Sequence, residues 1–145
     1  MELKDLSQDR VHEVVEKLVN ELRQRNRIVV WLKGDMGSGK TYLVGQLLHT
    51  LGLSAKIPVQ SPTYSFVHCY DLPGMKVAHF DLYRLQIPTD LEELSGLDLS
   101  DFQIVLIEWP QMAISSELVD PDIVLTIESG SSADRRNYDF LFQRE

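Results

Sequence analysis

The chain has 145 residues, 43% hydrophobic and 25% charged, with a formal net charge of −8 and a single cysteine. That length suits one domain with one core, read here as residues 1–145, and the lone Cys69 excludes an internal disulfide framework. No stretch reaches the ~20 apolar residues of a membrane-spanning helix, and residues 1–20 carry acids and a helical pattern where a secretory leader has a basic start and an apolar run, so the expectation is a cytoplasmic protein with no membrane partner.

In chain order, Ser7 is placed to cap a helix, with Leu6 and Val11 as its staple and Val11, Val14, Val15, Leu18, Val19 and Leu22 as one apolar stripe. Ile28 to Leu32 reads as a buried strand. Gly34 to Thr41 follows it, and Tyr42 to Leu51 places Leu43, Leu47, Leu48 and Leu51 at helical spacing before Gly52 ends the helix. Tyr64 to Tyr70 alternates, Asp71-Leu72-Pro73-Gly74 offers a turn, and Met75 to Leu82 returns as a strand, so a β-hairpin makes the sheet mixed. Thr89-Asp90-Leu91-Glu92 predicts a capped short helix ending at Gly96. Ile104 to Ile107 is an unbroken apolar run suited to a central strand, and Ile123 to Ile127 and the alternation Tyr138, Phe140, Phe142 predict two more strands. The expected architecture is an α/β, three-layer fold of the phosphate-loop nucleotidase kind, with a mixed central sheet flanked by helices.

The chemistry centres on Gly34-Asp35-Met36-Gly37-Ser38-Gly39-Lys40-Thr41, which fits G-x-x-x-x-G-K-[ST] at every fixed position. Glycines let successive N–H groups turn into one concavity that cradles phosphates. Lys40 is placed to reach the β- and γ-phosphates, and the Thr41 hydroxyl to meet Mg²⁺. Such a loop needs an acid at the end of a neighbouring strand. Glu108, after four apolar residues, is assigned to magnesium, and Asp81 to positioning the attacking water or accepting its proton; the reverse assignment stays open. Thr63 in Ser61-Pro62-Thr63 stands where nucleotide switches place a threonine near the metal and γ-phosphate, although spacing alone fits an ordinary loop threonine equally. His79 shares a strand face with Asp81, and Tyr83 continues it, so the three predict one polar cluster. Read without a fold, His79 is a structural histidine. Trp109 after the acid reads as core packing or as a gate. Arg84, Arg135 and Arg136 are the candidate catalytic cations, each also readable as a surface ion pair.

Charge is unevenly distributed: residues 1–60 hold nine Lys/Arg against seven acids, whereas residues 61–145 hold five against fifteen. A large phosphate-contact surface is not expected in the acidic part, which reads as a solvated surface or as a docking face for a basic partner. No Asn-Lys-x-Asp or Thr-Lys-x-Asp segment is present to read guanine, which makes ATP the expected nucleotide. From composition and spacing the reading stops at a magnesium-dependent nucleoside triphosphatase or kinase.

Taken in order, Gly34 to Thr41, Ser61-Pro62-Thr63-Tyr64, His79-Phe80-Asp81-Leu82-Tyr83-Arg84 and Ile107-Glu108-Trp109-Pro110 resemble the bacterial TsaE family across essentially the whole chain. The resemblance implies the ATPase component of the machinery that makes threonylcarbamoyladenosine (t6A) in tRNA, weakly active alone and acting with TsaB and TsaD, with tRNA met through the complex. It also implies ATP on residues 34–41, Mg²⁺ at Thr41 and Glu108, a switch role for Thr63 and an important acid at Asp81. Tyr64 departs from the phenylalanine expected there.

Overall fold

The computed structural model describes residues 1–143. Seven strands form one sheet in the order β1 (Glu2–Ser7), β7 (Arg135–Phe142), β6 (Ile123–Ser129), β2 (Ile28–Lys33), β5 (Ile104–Glu108), β4 (Met75–Asp81), β3 (Val67–Leu72). The four middle strands β6, β2, β5 and β4 are parallel, and antiparallel neighbours close both sides: β7 and β1 beyond β6, β3 beyond β4. The sheet is mixed, as the hairpin predicted. Every residue of β5 is buried, which is why its sequence shows no polar alternation.

Helices α1 (His12–Arg25) and α2 (Lys40–Thr50) cover one face. Val14, Val15, Leu18, Val19 and Leu22 of α1 pack with Leu43, Val44, Leu47 and Leu48 of α2 on Val30, Leu32, Leu106, Leu125 and their neighbours. Each such side chain contributes about 1.5–3 kcal/mol when fully buried. The alternate residues Val29, Ala78, Phe80, Val105 and Ile107 point to the other face. Short helix α3 (Leu91–Ser95) and the segments around it cover that face through Leu91, Leu99, Phe102 and Val119.

Three local expectations need correction. Residues 2–7 form a strand, so α1 begins at His12 and Ser7 precedes a single 3-10 turn without capping it. Asp5, at φ 59°, makes a bulge between Leu3 and Leu6; that extra residue puts the two leucines three apart, a helical spacing in the sequence. The cap of α3 is Asp90, whose carboxylate accepts from the N–H groups of Glu92 and Glu93, while Thr89 is drawn into a bridge with Ala113. β3 starts only at Val67, because Phe66 takes a positive φ of 69° and breaks the alternation that begins at Tyr64. The Pro73-Gly74 turn stands where expected, between paired Leu72 and Met75.

Candidate functional site

The site lies at the carboxyl ends of the parallel strands, where ligands sit in open α/β sheets. β2 runs into the phosphate loop, and its Leu32 is in register with Glu108 of β5, which is in register with Asp81 of β4. Gly34 has no room for a side chain: an added Cβ would lie 2.7 Å from the Ile127 carbonyl oxygen and 2.7 Å from Ser38 Oγ. Gly39, at φ 106°, turns the chain into the first turn of α2. The N-terminus of α2 thus opens on the loop with its N–H groups unspent within the helix.

A cleft of about 290 Å³ is lined by Met36, Gly37, Gly39, Lys40, Thr41, Tyr42, Ser61, Thr63, Asp81, Tyr83, Glu108 and Trp109. It brings together Lys40, Thr41, Thr63, Asp81 and Glu108 from four separate stretches of sequence. Gly34, Asp35 and Ser38 do not line this cleft; with Met36 and Gly37 they line a hollow against β6. Lys40 is buried and its Nζ donates to the carbonyls of Gly34 and, at 3.3 Å, Asp35, while standing 4.8 Å from the centre of the Trp109 ring. Burial holds the Lys40 ammonium below its ordinary pKa, opposed by the charges of Glu108, Asp81 and Asp35. An anion entering the cleft meets a cation that is poorly hydrated and held by carbonyls it can exchange for phosphate oxygens.

The two acids stand on one rung with different partners. Asp81 Oδ2 accepts from the hydroxyls of Ser61 and Thr63, the latter at 2.9 Å, and Asp81 Oδ1 accepts from the Tyr83 amide at 3.0 Å. Glu108 Oε2 accepts from His79 Nε2 at 2.7 Å, within the core. The expected cluster of His79, Asp81 and Tyr83 is therefore divided: Tyr83 joins Asp81 through its backbone, and His79 turns to the other strand. Parallel pairing decides this, since Leu106 is the partner of His79 and Glu108 lies two residues further on the same face.

Trp109 adopts a left-handed conformation, φ 59° and ψ 53°, unusual for a bulky residue, and its ring meets Tyr83 at 5.0 Å between centres. The Arg84 guanidinium lies over the Tyr64 ring, 4.8 Å from its centre, and lines no part of the cleft. Arg136 reaches the loop itself, donating from Nε to the Ser38 carbonyl at 2.9 Å. A second hollow, about 230 Å³, adjoins the loop and is lined by Leu6, Gln8, Ser38, Gly39, Tyr42, Ala133, Asp134, Arg136 and Tyr138. Sequence reasoning missed Gln8, Tyr42 and Tyr138 there; Tyr138 fits the alternation of its strand, and no signal separated these residues from ordinary surface and core positions.

Residues 6–138 match the profile of the family described as threonylcarbamoyl adenosine biosynthesis protein TsaE. The chain belongs to the TsaE family. It is 35% identical over 128 residues to the tRNA threonylcarbamoyladenosine biosynthesis protein TsaE of Haemophilus influenzae, covering 88% of this chain and 78% of that protein. It is also 32% identical over 117 residues to the TsaE protein of Aquifex aeolicus, covering 77% of each. Among solved structures, Bacillus subtilis YdiB superposes with a TM-score of 0.62 at 19% identity, over 97% of this chain and 83% of that one, a likeness of fold. The TsaE family serves the formation of t6A in tRNA, and the phosphate-loop α/β architecture is the expected one. Among the described residues no helix is long and apolar enough to cross a membrane.

Proposed function

We propose that this TsaE-family chain is, as one domain over residues 1–145, a slow Mg²⁺-dependent ATPase of the cytoplasm, required for t6A modification and working in a complex with TsaB and TsaD that meets the tRNA. The observation that carries the reading is the convergence of Lys40 and Thr41 with Asp81, Glu108 and Thr63 on one cleft at the mouth of the phosphate loop. The loop amides of residues 34–41 and the Lys40 ammonium bind the phosphates. Adenosine is assigned to the adjoining hollow, where Tyr42 and Tyr138 offer ring surface and Arg136 steadies the loop.

The donor set fits Mg²⁺, an ion that takes one or two protein oxygens and completes its shell with phosphate and water: Thr41 and Glu108 line the cleft, and Glu108 is already oriented by a hydrogen bond. When bound, the ion neutralises charge developing on the β- and γ-phosphate oxygens. Asp81 orients the attacking water. Ser61 and Thr63 hold its carboxylate, and release of Thr63 from Asp81 would free its hydroxyl to meet the nucleotide. That is the basis for weak activity alone, with TsaB and TsaD stabilising the rearranged loop.

The test is ATP turnover by the purified chain with Mg²⁺, alone and with TsaB and TsaD, against Glu108→Ala. Strong stimulation that the substitution abolishes is the expected result. Phosphate moving to a small acceptor in preference to water makes the protein a kinase. Full t6A formation by Asp81→Ala and Glu108→Ala proteins makes it an adaptor with no required chemistry.

A further inference from the structure

His79 is fully buried on β4, does not line the cleft, and has an apolar partner, Leu106, across the sheet. Packing alone calls for an aliphatic side chain there, as at Val77 one step earlier on the same face. The imidazole instead makes a 2.7 Å hydrogen bond from Nε2 to Glu108 Oε2, while its Nδ1 is buried with no partner among the described residues. Because a carboxylate only accepts, the proton belongs on Nε2. An arrangement that leaves one ring nitrogen unpaired in order to hold a carboxylate oxygen is costly as mere filling. It makes sense if the orientation of that carboxylate matters.

We propose that His79 is the positioning residue of the magnesium acid: held by the core, it pins one oxygen of Glu108 from behind and turns the other toward the phosphate loop. The proposal rests on the ATPase reading above. Partners of this kind behind a ligating group commonly change metal affinity by about 10–100-fold when removed. Glutamine carries its amide nitrogen the same number of bonds from Cα as His79 Nε2, so His79→Gln keeps the donor; His79→Leu removes it at similar volume.

The experiment titrates Mg²⁺ into each full-length protein with a fluorescent ATP analogue, reading the half-saturating Mg²⁺ for tight binding, with analogue affinity in EDTA and thermal melting alongside. His79→Leu is expected to raise half-saturating Mg²⁺ about 10-fold while leaving affinity in EDTA unchanged, and His79→Gln to recover most of the loss. If the leucine variant does not fold, His79→Asn, whose amide is one bond short of Glu108, takes its place. An unchanged Mg²⁺ requirement with a shifted melt overturns the proposal and leaves His79 a packing residue. Glutamine behaving like leucine overturns it too. Wild-type protein without Mg²⁺-promoted binding fails the ATPase reading itself, a result distinct from either.

Discussion

Asp81 and Glu108 occupy the same rung of two adjacent parallel strands, yet one is held from the loop wall of the cleft and the other from its core wall. Asp81 is held by hydroxyls of the Ser61 to Phe66 segment, whose backbone ties to β4 through the Asp81 amide and the Phe66 carbonyl at 2.9 Å and which turns through a left-handed Phe66. Glu108 is held by a histidine at 0% exposure. Hydroxyls on a partly exposed loop exchange readily with water or phosphate, whereas an imidazole in a packed core cannot move without opening a void. The contrast teaches that being an acid at a strand end does not define a role: what stands behind the carboxylate decides whether it is a fixture or a latch.

The largest effects should separate the two walls. Glu108→Ala is expected to lower partner-stimulated turnover by roughly 10²–10³-fold, the range seen when one preorganised charge-stabilising group is lost. It should also lower folding stability by about 1–3 kcal/mol, because the His79 N–H is left buried without an acceptor. Asp81→Ala should cut turnover comparably while costing less, about 1 kcal/mol, since the Ser61 and Thr63 hydroxyls turn to solvent and the Tyr83 amide, which also loses its acceptor, sits on a half-exposed residue. Urea unfolding beside ATP turnover measures both; equal stability losses would erase the contrast.

Next in size, Glu108→Gln keeps an acceptor for His79 without the charge, so most of the stability should return while turnover stays low. Recovery of both would mean that Glu108 serves only the fold. Smaller again, Ser61→Ala removes one of the two hydroxyls latching Asp81 and should change stability by no more than about 0.5–1 kcal/mol. It should raise turnover by the isolated chain, through easier release of Thr63; lower turnover would show that Ser61 itself serves the active arrangement.

The smallest effect lies outside both walls. The Asp5 carboxyl is held below its ordinary pKa chiefly by the Ser131 amide and then by the Ser131 hydroxyl. A carboxyl depressed in the folded state contributes stability above its unfolded pKa, and loses it as pH falls through the folded value. Asp5→Asn should therefore slightly flatten the acid limb of the stability curve below about pH 4, with ATP turnover unaffected. A change in turnover would tie the amino-terminal strand to the hollow proposed for adenosine beside Leu6 and Gln8.

Much of this was legible in sequence because it is written in local rules. The phosphate loop needs glycines at fixed offsets, β5 is apolar from Ile104 to Ile107 because both its faces are covered, and Pro73-Gly74 is a turn whatever surrounds it. β1 was illegible because a single bulge gives a strand the spacing of a helix, and only pairing with β7 shows that Leu3 and Leu6 share a face. The hollow beside the loop was legible only as the amino-terminal region and the last hairpin left over to close the site; its lining joins Leu6, Tyr42 and Arg136 from stretches far apart in the chain.

The sequence by itself determined the glycine-rich loop between strand and helix, the strand-end places of Asp81 and Glu108 and the family, because such a loop and such strand ends demand particular residue types at short, fixed spacings. Only the tertiary structure decided that His79 serves Glu108, that Ser61 and Thr63 latch Asp81, and that Lys40 rests between two carbonyls and Trp109. Those pairings depend on the parallel register of β4 against β5 and on how a loop folds back over the strand ends. They are relations between segments far apart in sequence, and no spacing along the chain encodes them.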